Sequence, residues 1–315
     1  MSELLPVLIR ETGLSELDVM RIVSNAPVRY KTYLIKKRNG GERVISQPAR
    51  ELKALQRAVS DHVLSRLPVH SAATAYREGI SIRVNAAAHA QSGPILKCDF
   101  KDFFPSIMSS DWWFYCNKHS LFSDPQDIRI STNILFHRRG GGSVLRLAIG
   151  APSSPSLSNV LMYEFDSKIA ELVANDQVVY TRYADDLTFS ARRTGFLTGV
   201  KAALNQVIKE LASPSLTINE SKTVLATPKY KRMVTGLILT NDGKVSVGHR
   251  RKRQIRAALH HHLLGRLDVA AQARLAGLLS FVSDVEPEFI ARLRSKYGQA
   301  FIAELRSTRV QYKLQ

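Results

Sequence analysis

Cysteine is scarce in this sequence: Cys98 and Cys116 are the two cysteines among 315 residues. Two cysteines provide no disulfide framework, which excludes the small disulfide-stabilised secreted class and suits a reducing compartment. No stretch approaches the roughly 18 apolar residues that a transmembrane helix needs. The first eleven residues include Glu3 and Glu11 and lack a long apolar core, which argues against a signal peptide. We therefore expect a cytoplasmic protein without a membrane segment.

Acidic residues are also few, with 27 Asp and Glu against 45 Lys and Arg, so that the formal net charge is +18. Such a surplus favours a polyanionic partner, and nucleic acid is the first candidate; a basic protein with no such partner is the alternative. Residues 244–315 contain 14 Lys and Arg and five Asp and Glu, so half of the surplus, +9, lies in less than a quarter of the chain. Hydrophobic residues amount to 44%, which is enough for a buried core and makes disorder unexpected.

The spacing of apolar residues predicts a mixed chain of helices and strands. Ser15, with Asp18 three residues later, is typical of a helix start. The tripeptide Asn39-Gly40-Gly41 predicts the turn of a hairpin. Residues 121–148 show no clear pattern apart from a loop at 138–142. The other predicted elements are helices at 50–67, around 80–90, after Pro155, at 198–211 and over the last 65 residues or so, with strands at 33–35, 43–45, 95–100 (stopped by Pro105), 178–180, 187–189 and in short pieces up to Val247.

Three acidic residues stand where their surroundings predict chemistry. Asp99 closes a predicted strand, and Asp185 and Asp186 form the tip of a predicted hairpin. Two adjacent acids repel each other unless a cation lies between them. Carboxylates are the oxygen ligands that Mg²⁺ prefers, and a pair of divalent cations roughly 3.5–4 Å apart is what nucleotidyl transfer to a primer end requires. The alternative is an ordinary Asp-Asp turn, which would be favoured for the dipeptide alone.

Several motifs occur in an order that is typical of one family. They are residues 43–48 (RVISQP) followed by 52–56 (LKALQ), then 99–105 (DFKDFFP), 150–155 (GAPSSP), 181–186 (TRYADD) and 219–223 (NESKT). Together they resemble the motifs of reverse transcriptases. Two further segments, 85–89 (NAAAH) and 234–236 (VTG), are similar to boxes of bacterial retron reverse transcriptases, and the resemblance runs from about Tyr30 to Tyr297. One departure is Ile149, which stands where many reverse transcriptases carry a glutamine that contacts template or nucleotide.

The resemblance implies roles for residues of the catalytic segments. Phe104, five residues after Asp99, would be the steric gate that excludes a ribose 2′-hydroxyl; the alternative is that Phe103 and Phe104 are both core aromatics. Lys222 would meet the leaving pyrophosphate and serve as its proton donor; the alternative is a surface lysine. The metal ligands would be Asp99, the Phe100 backbone carbonyl, Asp185 and Asp186, holding two Mg²⁺ ions with Mn²⁺ as a substitute. The nucleotide contacts would be Arg43, Gly150, Ala151 and Lys37, with Lys36 beside it, although these two lysines could equally solvate a strand edge.

The resemblance also implies contacts with RNA. On a helix, Asn85 and His89 face the same side and would jointly touch RNA; a hydrogen bond between them, or a core histidine, is the alternative. Residues 250–256 hold five cations in seven positions, which favours a helical module gripping phosphates over a solvated charge run. Three consecutive histidines, 260–262, cannot face one ion from a helix and predict no zinc site. The predicted RNA contacts are Asn85, His89, Val234, Thr235, Gly236, Arg250, Arg251, Lys252, Arg253 and Arg256.

The expected fold is α+β: a right-hand polymerase with fingers, an antiparallel-sheet palm and a helical thumb. Residues 1–93 would form the fingers with an N-terminal helical extension. Residues 94–240 would form the palm, with a fingers insertion around 108–148, and residues 241–315 the basic thumb. The thumb is predicted to be a small helical bundle packed through Leu275, Leu278, Leu279, Phe281, Val282, Phe289 and Ile290.

The resemblance to retron enzymes implies a particular biology. The chain would copy a structured non-coding RNA of the msr-msd type from dNTPs, priming from a 2′-hydroxyl of an internal guanosine and yielding branched RNA-linked single-stranded DNA (msDNA). With no room for a ribonuclease H domain after the thumb, a host ribonuclease H would act in trans on the RNA–DNA product. The family further implies anti-phage defence with an effector or toxin protein. The alternatives are an intron-type or other bacterial reverse transcriptase, and a non-catalytic RNA-binding scaffold for an effector.

Overall fold

The computed structural model of the protein describes residues 2–37, 40–140, 142–211 and 213–307. Asn39 of the predicted turn, Gly141 of the predicted loop and the predicted helical segment beyond residue 307 lie outside the described residues. Within these ranges the chain contains helices and four sheets, and no helix there is long and apolar enough to cross a bilayer. The strands are β1 (Tyr30–Lys36), β2 (Glu42–Pro48), β3 (Ile95–Asp99), β4 (His137–Arg138), β5 (Leu145–Arg146), β6 (Val179–Tyr183), β7 (Asp186–Ser190), β8 (Val224–Ala226), β9 (Arg232–Val234), β10 (Leu237–Leu239) and β11 (Val245–Ser246). The helices are α1 (Leu4–Thr12), α2 (Glu16–Asn25), α3 (Arg50–His62), α4 (Ile82–Ala88), α5 (Phe103–Ser106), α6 (Ser109–Lys118), α7 (Pro125–Leu135), α8 (Ser154–Leu161), α9 (Tyr163–Ala174), α10 (Val200–Glu210), α11 (His249–Leu263), α12 (Val269–Val285), α13 (Pro287–Tyr297) and α14 (Gln299–Ser307).

The described residues group into two compact units. The division into fingers, palm and thumb at residues 93 and 240 remains a prediction. The larger unit comprises residues 2–78, 96–189 and 195–224, and the smaller unit comprises residues 79–95, 190–194 and 225–307.

The N-terminal helices of the larger unit are fixed by capping side chains. The Ser15 hydroxyl accepts a hydrogen bond from the backbone N–H of Asp18 at 3.2 Å, so the predicted start of α2 is confirmed. The preceding helix α1, which was not predicted, begins against the fully buried carboxylate of Asp127. That carboxylate accepts from the backbone N–H groups of Glu3 and Leu4 at 2.8 and 3.2 Å, which compensates its burial at a helix N-terminus.

The predicted hairpin near the N-terminus is confirmed and is longer than expected. β1 and β2 pair antiparallel, with Tyr33 opposite Ile45 and Ile35 opposite Arg43. Nearly all of β1 is exposed, whereas β2 is partly buried. The backbone N–H of Ser46 donates to the carbonyl of Ile149 at 2.8 Å. This bond fixes β2, and Arg43 on it, against the segment that leads into the 150–155 motif.

A four-stranded sheet in the order β6-β7-β3-β8 carries the predicted catalytic segments. Leu187 and Phe189 of β7 are fully buried, which anchors the strand immediately after Asp186. β3 ends at Asp99, one residue earlier than predicted. Pro105 does not stop it, because this proline lies within the short helix α5.

The segment without a clear sequence pattern is mostly regular. It contains α7 and the strand pair β4–β5, in which His137 is opposite Arg146, so the predicted loop connects a small hairpin. The Arg146 guanidinium donates to the carbonyl of Pro105 at 2.7 Å, and the backbone N–H of Leu147 donates to that of Ile107 at 3.0 Å. The hairpin therefore packs on the chain that follows Asp99.

The smaller unit has a core of its own around α11–α13 and the sheet β11-β10-β9. The Glu286 carboxylate accepts from the Ser246 hydroxyl at 2.9 Å and pairs with Lys252 at 2.5 Å, which joins the sheet to α11. The predicted helical bundle is confirmed. Leu275, Leu279, Val282, Phe289 and Ile290 are buried in this core, and Leu278 and Phe281 lie partly buried beside it.

Candidate active site

The three predicted catalytic acids meet in the larger unit. Asp99 is the last residue of β3 and is 8% exposed. Asp185 lies in the turn between β6 and β7, and Asp186 is the first residue of β7; both are half-buried. Ala184 before them has a φ of 58°, a left-handed conformation that is unusual for a residue with a Cβ and marks a strained turn. The backbone N–H of Phe100 donates to the carbonyl of Asp185 at 3.1 Å, and the side chain of Asp99 lies close enough to Asp186 to affect its pKa.

Two of the acids, Asp185 and Asp186, have raised pKa values. The pKa of Asp186 is raised to about 6, chiefly by burial and also by the nearby carboxylates of Asp185 and Asp99, against the opposing effect of Lys97. Burial also raises the pKa of Asp185, and the charge of Asp99 adds to the increase. The negative charges are therefore crowded and incompletely neutralised. A divalent cation would relieve this repulsion.

The donor chemistry of this cluster fits a hard divalent cation, because all of its side-chain donors are carboxylate oxygens. Within the described ranges, no three His, Cys, Asp or Glu side chains already stand as a ligand set for one ion. Instead, the ammonium group of Lys222 lies 2.7 Å from the Asp99 Oδ1 atom. The hydrogen bond to Asp99 raises the pKa of Lys222, so this lysine remains a cation beside the acids.

Lys222 reaches Asp99 because its segment runs along the end of β3. The backbone N–H of Asn219 donates to the carbonyl of Asp99 at 2.7 Å, and that of Lys101 donates to the carbonyl of Thr217 at 2.8 Å. These bonds align the 219–223 motif with the first catalytic motif. The alternative of a surface lysine therefore holds only in part. Lys222 is exposed, but its ammonium group forms an ion pair with Asp99.

An open cleft of about 1220 Å³ in the larger unit is lined by Asp99, Asp185 and Lys222. Arg43 and Lys37 of the β1–β2 hairpin also line it, as predicted nucleotide contacts, together with Ile149. Arg139 and Arg146 line the cleft as well. They were not predicted as site residues, because the sequence of their segment showed no clear pattern. The basic residues of the lining are Lys37, Arg43, Lys101, Arg139, Arg146 and Lys222.

The two neighbouring phenylalanines have different environments. Phe103 is 3% exposed and stacks on Phe100, with ring centroids 5.6 Å apart. Phe104 is half-buried and lines the cleft. The alternative that both are core aromatics therefore holds for Phe103 alone.

Gly150 belongs to the predicted nucleotide-binding motif and has a φ of 120°. A Cβ atom at this position would lie 3.0 Å from the Ile45 side chain and 3.1 Å from the Ser46 carbonyl oxygen. Glycine is thus required for close packing on β2. Ala151 is buried, so the predicted nucleotide contacts of Gly150 and Ala151 remain predictions.

A buried polar network supports the catalytic turn, and it was not predicted. Arg182 and Asp166 are fully buried and form a bidentate ion pair, with their closest atoms 2.6 Å apart. Arg182 also donates to the side-chain oxygen of Asn159 and to the carbonyl of Ala184, both at 3.2 Å. The Tyr180 hydroxyl donates to Asp166 at 2.7 Å. The sequence signal for this network was an arginine, Arg182, within a strand that is otherwise buried. A buried arginine requires a buried partner.

Three of the predicted RNA contacts in the smaller unit are buried. Asn85 and His89 are 1% and 0% exposed, and Val234 is fully buried, so none of these side chains can reach RNA in this structure. A His89 ring nitrogen lies 2.7 Å from the Ser190 hydroxyl, and burial lowers the pKa of His89 to about 4. The alternative of a core histidine is confirmed. Helical spacing shows which residues share a face but not what covers that face, which is why sequence reasoning misplaced them.

The remaining predicted RNA contacts are more accessible. Thr235 is half-buried and donates to the carbonyl of Ile82 at 3.1 Å, and Gly236 is exposed. On α11, Arg251 lies over the Phe281 ring at 5.1 Å, and Lys252 pairs with Glu286, so both are partly engaged. The exposed cations of the predicted group are Arg250, Arg253 and Arg256.

The chain matches the family model described as reverse transcriptase (RNA-dependent DNA polymerase) over residues 35–256. That match defines the class, an RNA-directed DNA polymerase. The chain is 34% identical to the retron Ec83 reverse transcriptase of Escherichia coli, over 92% of this chain and 94% of that protein. It is 32% identical to the retron Ec86 reverse transcriptase of Escherichia coli, over 92% of this chain and 89% of that protein. The chain therefore belongs to the retron reverse transcriptases.

Among solved structures, the telomerase of Candida albicans in complex with a fragment of telomeric RNA is similar, with a TM-score of 0.48 and 12% identity. The likeness covers 88% of this chain and 61% of that one. So distant a likeness carries no argument about this site.

Proposed function

We propose that this reverse transcriptase uses the acid cluster and its basic cleft for two-metal nucleotidyl transfer on an RNA template. The observation that carries the proposal is that Asp99 and Asp185 line a cleft together with several Lys and Arg side chains, and that Asp186 lies beside these two acids. Asp99, Asp185, Asp186 and the Phe100 carbonyl would hold two Mg²⁺ ions, or Mn²⁺ in their place. Bound cations would lower the barrier by neutralising charge on the primer oxygen and the departing pyrophosphate.

The protein's own residues have distinct tasks in this proposal. Arg43 and Lys37, on the exposed hairpin, would clamp the triphosphate, since a guanidinium and an ammonium both bind phosphate oxygens. Gly150 and Ala151 would line the nucleotide site beside β2. Lys222 would bind the leaving pyrophosphate and give it a proton. A scaffold that only holds RNA would gain nothing from crowding three acids in a cleft that binds phosphates.

Replacing Lys222 with Ala is expected to slow single-turnover nucleotide incorporation by about 10²-fold or more, the usual contribution of a positioned proton donor. RNA binding should be unchanged, because the exposed cations of α11 are untouched. Lys222→Arg is the matched variant: it keeps the charge next to Asp99 but gives up a proton far less readily. A wild-type rate for Lys222→Arg would exclude proton donation and leave only charge neutralisation.

Replacing Phe104 with Ala is expected to increase the use of ribonucleotides relative to deoxyribonucleotides by about 10-fold to 10²-fold. Against the Phe104 ring, the 2′-hydroxyl of a ribonucleotide would lose its hydrogen-bond partners in water, which costs about 1–3 kcal/mol. Competition between dGTP and GTP in primer extension measures the ratio. Phe104→Tyr, which keeps the ring, should retain the wild-type ratio. An unaltered ratio for Phe104→Ala would remove the gate assignment.

The architecture proposed for this activity is a right hand with fingers in residues 1–93, a palm in 94–240 and a thumb in 241–315. In it, the insertion around 108–148 belongs to the fingers. The exposed Arg250, Arg253 and Arg256 of the thumb would contact phosphates of the RNA–DNA duplex. A polymerase without base-specific contacts to its product needs such a charged surface to hold the duplex.

The proposed product is branched RNA-linked single-stranded DNA, made from a structured non-coding RNA of the msr-msd type by priming at a 2′-hydroxyl. Host ribonuclease H would remove the template, and an effector protein would link the complex to anti-phage defence in the cytoplasm. The support is family membership together with the Asn85–His89 and Val234–Gly236 segments. The alternative is an activity like that of an intron-type or other bacterial reverse transcriptase.

The test is to sequence the flanking DNA for an inverted-repeat RNA gene, express that RNA with the protein, and isolate RNA-linked DNA. The wild type should yield DNA that remains attached to RNA until a debranching treatment, and the Asp185→Asn variant should yield none. Absence of such DNA in the wild type, where the RNA is made, would contradict the retron-type product while leaving polymerase activity on other templates intact.

A further inference from the structure

Tyr76 combines two features that rarely occur together. Its φ is 60°, a left-handed conformation that is strained for a residue with a Cβ. Its side chain nevertheless remains 49% exposed and lines the cleft of the larger unit. An exposed aromatic side chain gains little from burial that could offset this strain. The surrounding chain must therefore hold it in place.

The residues before Tyr76 are held firmly. The backbone N–H of Arg182 donates to the carbonyl of Ala72 at 2.7 Å, and the N–H of Thr74 donates to the carbonyl of Arg182 at 2.8 Å. The side-chain amide of Asn159 donates to the carbonyl of Ala75 at 2.8 Å. Ala75 is 1% exposed, so this bond lies in the interior and fixes the peptide directly before Tyr76.

The same interior network serves the catalytic turn. Asn159 uses its amide nitrogen for Ala75 and its amide oxygen to accept from Arg182, whose guanidinium also donates to Ala184. One buried set of side chains thus fixes both the turn that carries Asp185 and the backbone that carries Tyr76. These hydrogen bonds fix the positions of the two segments relative to each other.

Tyr76 contacts the aromatic ring at the gate position. The rings of Tyr76 and Phe104 have centroids 6.4 Å apart and an interplanar angle of 52°, a tilted aromatic pair. Burial raises the pKa of Tyr76, and the carboxylate of Asp185 raises it further, so its hydroxyl is neutral and lies within the electrostatic reach of the acids. Phe104 therefore does not stand alone in the cleft.

We propose that Tyr76 is a second specificity-determining residue, which forms with Phe104 a two-sided aromatic wall that receives the sugar of the incoming nucleotide. Asn159 is its positioning residue, acting through the carbonyl of Ala75. The inference rests on the gate role proposed for Phe104. A single phenyl ring can tilt away from an added hydroxyl; a ring braced by a second ring on a strained, hydrogen-bonded backbone cannot. Tyr76 thereby holds the Phe104 ring in one position, and the two rings together limit the space for the sugar.

The experiment measures the ratio of dGTP to GTP incorporation on a poly(rC) template with an oligo(dG) primer. Tyr76→Ala should lower this discrimination by about 10-fold, which corresponds to about 1.4 kcal/mol, because the ribose 2′-hydroxyl would no longer be excluded by the second ring. Tyr76→Phe should retain the wild-type ratio. Asn159→Asp, which removes the donor to Ala75 but keeps the acceptor for Arg182, should lower the ratio in part. Phe114→Ala, which removes an exposed ring outside the cleft lining, is the matched control and should change nothing.

A double variant separates a shared wall from two independent effects. If the rings brace each other, Tyr76→Ala combined with Phe104→Ala should lower the ratio by less than the product of the single effects. Should Tyr76→Ala fail to fold, as judged by thermal unfolding, Tyr76→Leu keeps an apolar side chain without the ring and is measured in its place. A folded variant without the ring that keeps the wild-type ratio overturns the inference.

The outcomes distinguish this inference from the function on which it rests. A changed ratio for Phe104→Ala with an unchanged ratio for Tyr76→Ala overturns the role of Tyr76 and leaves the gate in place. Unchanged ratios for both remove the gate assignment as well. Loss of dGTP incorporation with an unchanged ratio would make Tyr76 a general support of the cleft, contrary to the proposal.

Discussion

Replacement of Asp185 by Asn is expected to lower nucleotide incorporation by more than about 10²-fold and to raise thermal stability at the same time. Even outer partners of metal ligands cost about 10- to 100-fold when they are removed, so loss of a proposed ligand should cost more. Stability should rise because the pKa of Asp185 is raised by its burial and by the charge of Asp99. A neutral amide removes this repulsion. Single-turnover extension and thermal unfolding without added metal are the two measurements.

Asp102→Asn is the matched control for this prediction. Asp102 is an exposed acid of the same cleft, with a φ of 46° that asparagine also tolerates. Its replacement changes the net charge by the same amount and should leave both rate and stability near those of the wild type. A wild-type rate for Asp185→Asn, or equal losses for the two variants, would contradict the assignment of Asp185 as a catalytic acid.

Replacement of Arg182 by Met is expected to destabilise the protein by about 3–5 kcal/mol, the usual result of leaving one partner of a buried ion pair unpaired. Both Arg182 and Asp166 have no exposed side-chain surface, so water cannot compensate for the lost partner. The carbonyl of Ala184 would also lose its donor, which loosens the strained turn before Asp185. The melting temperature should fall by roughly 2–4 °C per kcal/mol for a chain of this size.

The control lies on the same helix as Asp166. Lys168 forms an exposed ion pair with Glu210, with both side chains 44% exposed, and exposed pairs contribute about 1 kcal/mol or less. Lys168→Met should therefore change the melting temperature little. Combining Arg182→Met with Asp166→Leu should recover part of the loss, because no unpaired charge remains. A loss for Arg182→Met no larger than for Lys168→Met would show that the buried pair is not what holds this region together.

Sequence patterns were most reliable where the governing interactions are local. The cap at Ser15 and the pairing of strand 33–35 with strand 43–45 follow from contacts within a few residues or across one turn. The separate environments of Phe103 and Phe104 were open in the sequence, because adjacent aromatics in a short helix can point either way. The helix and the hairpin within residues 121–148 were not predicted, because their apolar residues face several partners and show no single period.

The sequence by itself determined the chemistry: three acids on two motifs, a basic excess, and a set of motifs in the order of one enzyme family. Only the tertiary structure decided which side chains are reachable. It buried His89, the residue directly after the helix that carries Asn85, and it joined Arg182 to Asp166 and Tyr76 to Phe104, which lie in different segments of the chain. Residue type and spacing fix what a side chain can do, whereas desolvation and partners depend on elements distant in sequence, and those are set by packing.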